Sequence, residues 1–409
     1  MALDLVLRNA RILDADVLLD IGIADGRIQA IGADLAGDGD ALDLDGCMVS
    51  PGLIETHIHL DKSRILERCS AAPDRGTDHM ARVAAVKSGF TVEDIHSRAK
   101  ATLEGCIAHG TTHIRTHVEV DPNVGLRGFE ALQQLADEYR WAVDMEICVF
   151  AQEGWTGLPE ADANVVEALR RGASVVGGAP GYDVDHAWQI NRIFELAREF
   201  DVDVDIHLDV GPTTGDMDIH LVCDLTQQYG WGGRVTVGHG TKYSCLPPDR
   251  LRDLGARLSD VGVAVTVLPA TDLFIMGRHQ DHSVMRGVAD AHALMQCGVN
   301  CTLASNNILN PFTPFGDGSL TRMANLYANV VQRGTAAELA ECFAMITQRA
   351  ARLIRRDDYG IAVGKPADIA VWDTRDPAEA VATVARPLFA FKAGRRTFTA
   401  TRPVLHKPG

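Results

Sequence analysis

No Cys-x-x-Cys pair occurs in these 409 residues, and the nine cysteines (47, 69, 106, 148, 223, 245, 297, 301 and 342) are scattered and odd in number. That pattern excludes a disulfide framework and a thiolate metal clip. Cys297 and Cys301 read as core packing, and reduced thiols fit a cytoplasmic setting. Basic residues are scarce: 39 Lys and Arg against 55 Asp and Glu leave a formal net charge of -16. Such a chain repels polyanions, which argues against nucleic acid and anionic membranes as partners. No apolar stretch is long enough to span a bilayer. The stretch MALDLVLRNARILDADV lacks the basic-then-apolar order of a signal peptide. Internal repeats and low-complexity tracts are absent, and the glycines in AGDGDA and at 177 and 178 lack a nucleotide-binding context. What is present, 46% apolar and 23% charged residues, suits a globular fold with a sizeable core.

From about residue 50 onward, short β-branched runs alternate with amphipathic stretches. Eight strands are expected, at 52–60, 111–120, 142–152, 173–181, 202–210, 234–240, 263–272 and 301–307. Helical stretches separate them, which predicts an α/β fold, a (β/α)8 TIM barrel over residues 51–357 with its site at the C-terminal strand ends. The two chain ends differ. Segments 3–32 and 364–398 read as short strands joined by Asp-Gly, Ala-Gly and Gly-Lys-Pro turns. Together, residues 1–50 and 358–409 predict one small β-sandwich domain, bridged to the barrel by a helical segment at 335–355.

The last residues of the strands carry the chemistry. His57 and His59 end the first, His117 the second, Gln152 the third, His207 and Asp209 the fifth, His239 the sixth, Asp272 the seventh, and Asn306 and Asn307 the eighth. Polar groups from so many strands converging on one rim mark a site. Residues two apart on a strand share a face, so His57 and His59 can share one ion, with His207 facing them across the barrel. His113, His117 and His220 are taken as hydrogen-bonded core residues. Lys62 either reaches the rim to hold an anionic substrate oxygen or begins a solvated loop. In the charged stretch TDLFIMGRHQDHSVMRG, Asp272 is taken for the site, and Arg278, His279, Asp281 and His282 are candidate lid residues.

PGLIETHIHLDK (51–62), RTHVEVD, VFAQEG, the His in TVGHGT and the step SNNILNPFTPFGDG (305–318) resemble the amidohydrolase superfamily. The branch resembled is that of the cytosine deaminases, which also contains the N-isopropylammelide amidohydrolase type. The resemblance runs over essentially the whole chain. It implies a hydrolase with one divalent ion, zinc or iron, held by His57, His59 and His207, with His239 working on water or substrate and Gln152 on a substrate amide. The implied substrate is a small heterocycle, and a homo-oligomer is expected on the same ground.

Two positions depart from that pattern. The eighth-strand carboxylate of the cytosine deaminases is Asn306 here, and the Glu three residues after the fifth-strand His is Val210. An amide cannot take a proton near neutral pH. Three imidazoles without a carboxylate leave the full dication charge, which lowers the pKa of bound water to about 7 in a three-His zinc site. The expectation is therefore that His239 shuttles the proton, aided by Asp209 on the same strand face as His207. Asn306 and Asn307 are read as substrate contacts, Asn307 alternatively as a turn residue. The function expected is metal-dependent cleavage of a C–N bond in a small nitrogen heterocycle or cyclic ureide. The alternative is a catalytically degenerate small-molecule-binding protein on the same barrel.

Overall fold

The structure, a computed structural model, describes residues 3–406 apart from positions 14, 16, 38, 71–77 and 402. Of the segments assigned to the small domain, 1–2, 14, 16, 38, 402 and 407–409 therefore lie outside the described residues. The N-terminal strands are β1 (Leu5–Ile12), β2 (Leu19–Ala24), β3 (Arg27–Gly32), β4 (Asp40–Asp43) and β5 (Met48–Pro51). The barrel strands are β6 (Leu53–Ile58), β7 (Thr111–Glu119), β8 (Asp144–Phe150), β9 (Val175–Gly178), β10 (Asp203–Leu208), β11 (Val235–His239), β12 (Val263–Val267) and β13 (Cys301–Leu303). The chain ends with β14 (Ile369–Trp372), β15 (Pro387–Lys392) and β16 (Arg395–Thr399).

Strands β6 to β13 pair in sequence order, and every pairing is parallel. Helices between them cover the outer face, so the strands are buried along nearly their whole length, polar residues such as Glu55, Arg115 and Asp205 included. Closure comes beyond β13: the Asn306 N–H donates to the His57 carbonyl and the His59 N–H to the Asn306 carbonyl, both at 2.8 Å. The result is the expected (β/α)8 barrel, and its closing seam lies at the imidazole pair.

Both chain ends build one further sheet, ordered β16-β15-β14-β5-β1-β2-β3 with β4 on β1. Leu7, Ile21, Ile23 and Val49 from the front share a core with Ile369, Val371 and Phe391 from the back. Two-residue turns organise it. Asp25 and Gly26 (φ 51° and 72°) join β2 to β3, and Ala393 and Gly394 (φ 47° and 72°) join β15 to β16. Two positive φ values in succession give the turn whose twist matches an antiparallel pair. Lys392 ties the sheet to the barrel floor, donating to Asp368 at 2.7 Å and to Asp144 of β8 at 2.8 Å.

The bridge at 335–355 is two helices, Ala336–Ala344 and Gln348–Leu353, not one. The carbonyls of Met345 and Ile346 accept instead from Leu303 and Ile54 of the barrel, so a continuous helix would cost two strand-end hydrogen bonds. Thr335 caps the first helix in a reciprocal capping box with Glu338. Thr335→Ala is expected to lower stability by about 1 kcal/mol, read as a lower urea midpoint with turnover unchanged.

Candidate active site

At the C-terminal rim, strand alternation turns the His57 and His59 rings inward, where His207 meets them. His57 Nε2 lies 3.1 Å from His207 Nε2, and His59 Nε2 lies 3.0 Å from the same atom. Burial pushes the His57 imidazole down to about 3 and holds those of His59 and His207 well below the usual range, so all three are neutral. The His207 Nδ1–H donates to the Gly178 carbonyl at 3.1 Å, which leaves Nε2 as a lone pair. Ligands at about 2.1 Å from one tetrahedral ion lie about 3.4 Å apart, so three neutral nitrogens crowded at this distance fit a divalent ion of the zinc or iron kind. The structure thus brings together the three residues expected to hold metal.

His117 is not the simple core residue expected. Its ring stacks on His57 at 3.7 Å between centroids, and its Nε2 lies 3.4 Å from Asp205 Oδ1, an atom also 3.6 Å from His57 Nδ1. Asp205 is held from the other side by Arg115 at 3.2 Å. This backing of His57 went unseen in the sequence, although Asp205 stands two residues before His207 and so on the same strand face.

The partner of His239 differs from expectation. Strand β10 stops at Leu208, and Asp209 takes a left-handed backbone (φ 54°), which ends the alternation that would have aligned it with His207. Its carboxylate instead accepts from the Asp218 and Ile219 N–H groups and the Tyr243 hydroxyl. Strand β12 likewise stops at Val267, short of the expected 272. Pro269 then opens a helix to Ile275 that delivers Asp272 to the barrel mouth. Asp272 Oδ1 lies 2.6 Å from His239 Nδ1, and its Oδ2 accepts from the Leu268 N–H at 3.2 Å. Burial raises the Asp272 carboxyl above its usual range, and His239 opposes that rise.

Above the imidazoles lies a cavity of about 300 Å³. His59, His207, His239, Lys62, Gln152, Asp209, Asn306 and Asn307 line it, with Phe312 and Tyr182 as apolar walls. Asn306 has φ 59°, a conformation asparagine tolerates, and its amide nitrogen lies 3.4 Å from His239 Nε2. Asp281 and His282 pair with each other at the surface, 93% and 88% exposed, and neither lines the cavity.

Lys62 is buried, not solvated: its ammonium donates to Glu119 at 2.5 Å and reaches Gln152 Oε1 at 3.5 Å. Behind it sits Lys87, unnoticed in the sequence, whose ammonium pairs with Glu119, with Asp121 at 2.9 Å and with Glu153 at 2.7 Å. Burial works against the Glu119 charge, yet the two lysines hold its pKa down at about 2. Lys87→Met would leave three carboxylates without their shared cation. The expected loss is about 3–5 kcal/mol of stability, seen in urea unfolding. A loss below about 1 kcal/mol would mean that water reaches the cluster and screens it.

The chain matches the amidohydrolase family over residues 40–138 and 127–388. It is 31% identical to the N-isopropylammelide isopropyl amidohydrolase of Pseudomonas sp. (strain ADP), over 96% of each chain. Identity to the pterin deaminase of Rhizobium rhizogenes is 26%, covering 87% of this chain and 82% of that one. Among solved structures, 5-methylcytosine deaminase from Klebsiella pneumoniae, liganded with 5-fluorocytosine, superposes with a TM-score of 0.92. Its identity is 27%, over 98% of this chain and 99% of that one.

Proposed function

This chain belongs to the amidohydrolase family, and from that premise we propose a metal-dependent hydrolase that cleaves a C–N bond in a small nitrogen heterocycle or cyclic ureide. The observation that carries this reading is the meeting of three neutral imidazole nitrogens, 3.0 and 3.1 Å apart, beneath a cavity of heterocycle size. His57, His59 and His207 would hold one divalent ion, zinc or iron. Such an ion supplies Lewis acidity at the scissile carbon and makes water acidic enough to lose a proton near neutral pH.

The chain's own residues do the rest. His239 donates its Nδ1–H to Asp272, so its Nε2, with the Asn306 amide 3.4 Å away, carries the lone pair at the cavity, the place for a proton in transit. Lys62 and Gln152 orient the ring from one side, and Asn306 and Asn307 from the other. The buried wall around Phe312 limits access of bulk water. Asp209 supports the Ile219–Tyr229 helix and Tyr243 beneath the rim, a different part from the proton role expected for it.

The test is elemental analysis of the purified protein, followed by a panel of oxo-pyrimidines, pterins, hydantoins and triazines with ammonia or amine release as the signal. Near-stoichiometric zinc or iron with release from one member is the expected result. No metal after reconstitution, or tight binding of a panel member without release, would replace hydrolysis by a binding-protein reading.

A further inference from the structure

Three side-chain amides stand in series beside the cavity, and groups that act in one direction only settle their orientation. The Phe312 and Thr313 N–H groups donate to Asn310 Oδ1 at 3.0 and 3.2 Å, while Asn310 Nδ2 faces the Lys62 carbonyl at 3.3 Å. A backbone N–H cannot accept and a carbonyl cannot donate, so Asn310 cannot turn over. Its nitrogen therefore donates to Asn307 Oδ1 at 2.6 Å, and Asn307 Nδ2 in turn donates to Asn306 Oδ1 at 2.9 Å. Asn306 is left with its NH2 toward His239 Nε2. The far end is anchored as well, because Asp272 takes the Nδ1–H of His239 and is itself held by the Leu268 N–H.

We propose that this relay makes the asparagine side of the cavity a donor surface, and that the site takes an oxo-heterocycle turning only acceptors toward it. Those acceptors are carbonyl oxygens or unprotonated ring nitrogens. Asn310 and Asn307 are the positioning residues that fix the surface. Asn306 and Asn307 each keep one N–H beyond the relay. Lys62 can only donate, and its approach to Gln152 Oε1 leaves the Gln152 NH2 as a further donor. The carboxylates nearby already accept from the protein: Asp209 from two backbone N–H groups and Tyr243, and Asp218 from His186 at 2.8 Å. An aspartate at 306 would instead present oxygens and suit a ring amino group. The inference rests on the cavity being the substrate site proposed above.

Calorimetry with barbiturate and with 2,4,6-triaminopyrimidine, rings carrying oxygens or amino groups at the same positions, tests it. The parent protein is expected to favour barbiturate by about tenfold or more, the cost of facing buried donors with donors. Asn310→Asp, outside the cavity, keeps the bonds from Phe312 and Thr313 but cannot donate to Asn307. Asn307 then turns its NH2 toward the new carboxylate and presents an oxygen where it had an N–H, while Asn306 stays held by His239 Nε2. The preference should fall by about tenfold or reverse, with metal content unchanged. Asn307→Asp should act the same way and carries the test if the first variant folds poorly. Equal binding of the two rings by the parent, binding of neither, or an unchanged preference in a folded variant overturns the proposal. Absence of metal or turnover would instead count against the hydrolase reading and leave this preference measurable.

Discussion

The double change His57→Ala, His59→Ala is expected to leave a protein without bound metal and with turnover lowered by more than about 10³-fold, since Lewis-acid stabilisation is worth several kcal/mol and each 1.36 kcal/mol is tenfold. Two of the three converging nitrogens vanish, and one imidazole cannot retain the ion against a chelator. The barrel itself should survive. Its closing bonds at this seam run through backbone groups of residues 57, 59 and 306, which alanine retains. Circular dichroism and elemental analysis of parent and variant, side by side, separate these outcomes. Metal kept at parental stoichiometry by the variant would sink the three-imidazole assignment.

Asp272→Asn is the second large effect, with turnover expected to fall by roughly 10³–10⁴-fold while the metal stays bound. The carboxylate accepts the His239 Nδ1–H and so keeps Nε2 unprotonated. An amide at 272 still has the Leu268 N–H to satisfy, which its oxygen does, and its NH2 then faces His239 Nδ1 as a donor. That favours the other tautomer, with the proton on Nε2 and no base toward the cavity. Single-turnover rates with metal content measured on the same samples decide it. A variant that lost less than about tenfold would move the proton role to another group.

The contrast between Asp209 and Asp272 shows where sequence reasoning runs out. Short β-branched runs alternating with amphipathic stretches located all eight barrel strands, and two-residue spacing the shared face of His57 and His59. The rule holds only while the backbone stays extended. At Asp209 (φ 54°), His239 (φ 76°) and Asn306 (φ 59°) the chain turns left-handed just past or at the strand end, and period two no longer says where a side chain points. The link between Asp272 and His239 depends on a helix begun by Pro269, which a strand-ending pattern does not reveal. Lys87 and Asn310 lie further out of reach. Each sits on a connecting segment, and each acts on the rim only through tertiary contacts with Glu119 and Asn307. Small-domain turns, by contrast, were readable from Asp25-Gly26 and Ala393-Gly394, because a two-residue hairpin demands those φ values locally.

The small sheet also has a place in time. Its core joins Leu7, Ile21 and Val49 to Ile369, Val371 and Phe391, so roughly 300 residues separate β5 from its neighbour β14, on the order of 15–60 s of synthesis at about 5–20 residues per second. Through that interval the barrel can close on its own strands. The first five strands, however, wait with the edge of β5 unpaired and an apolar face exposed. The newborn chain is therefore most vulnerable at these five strands, and their risk of aggregation ends only when β14 to β16 arrive.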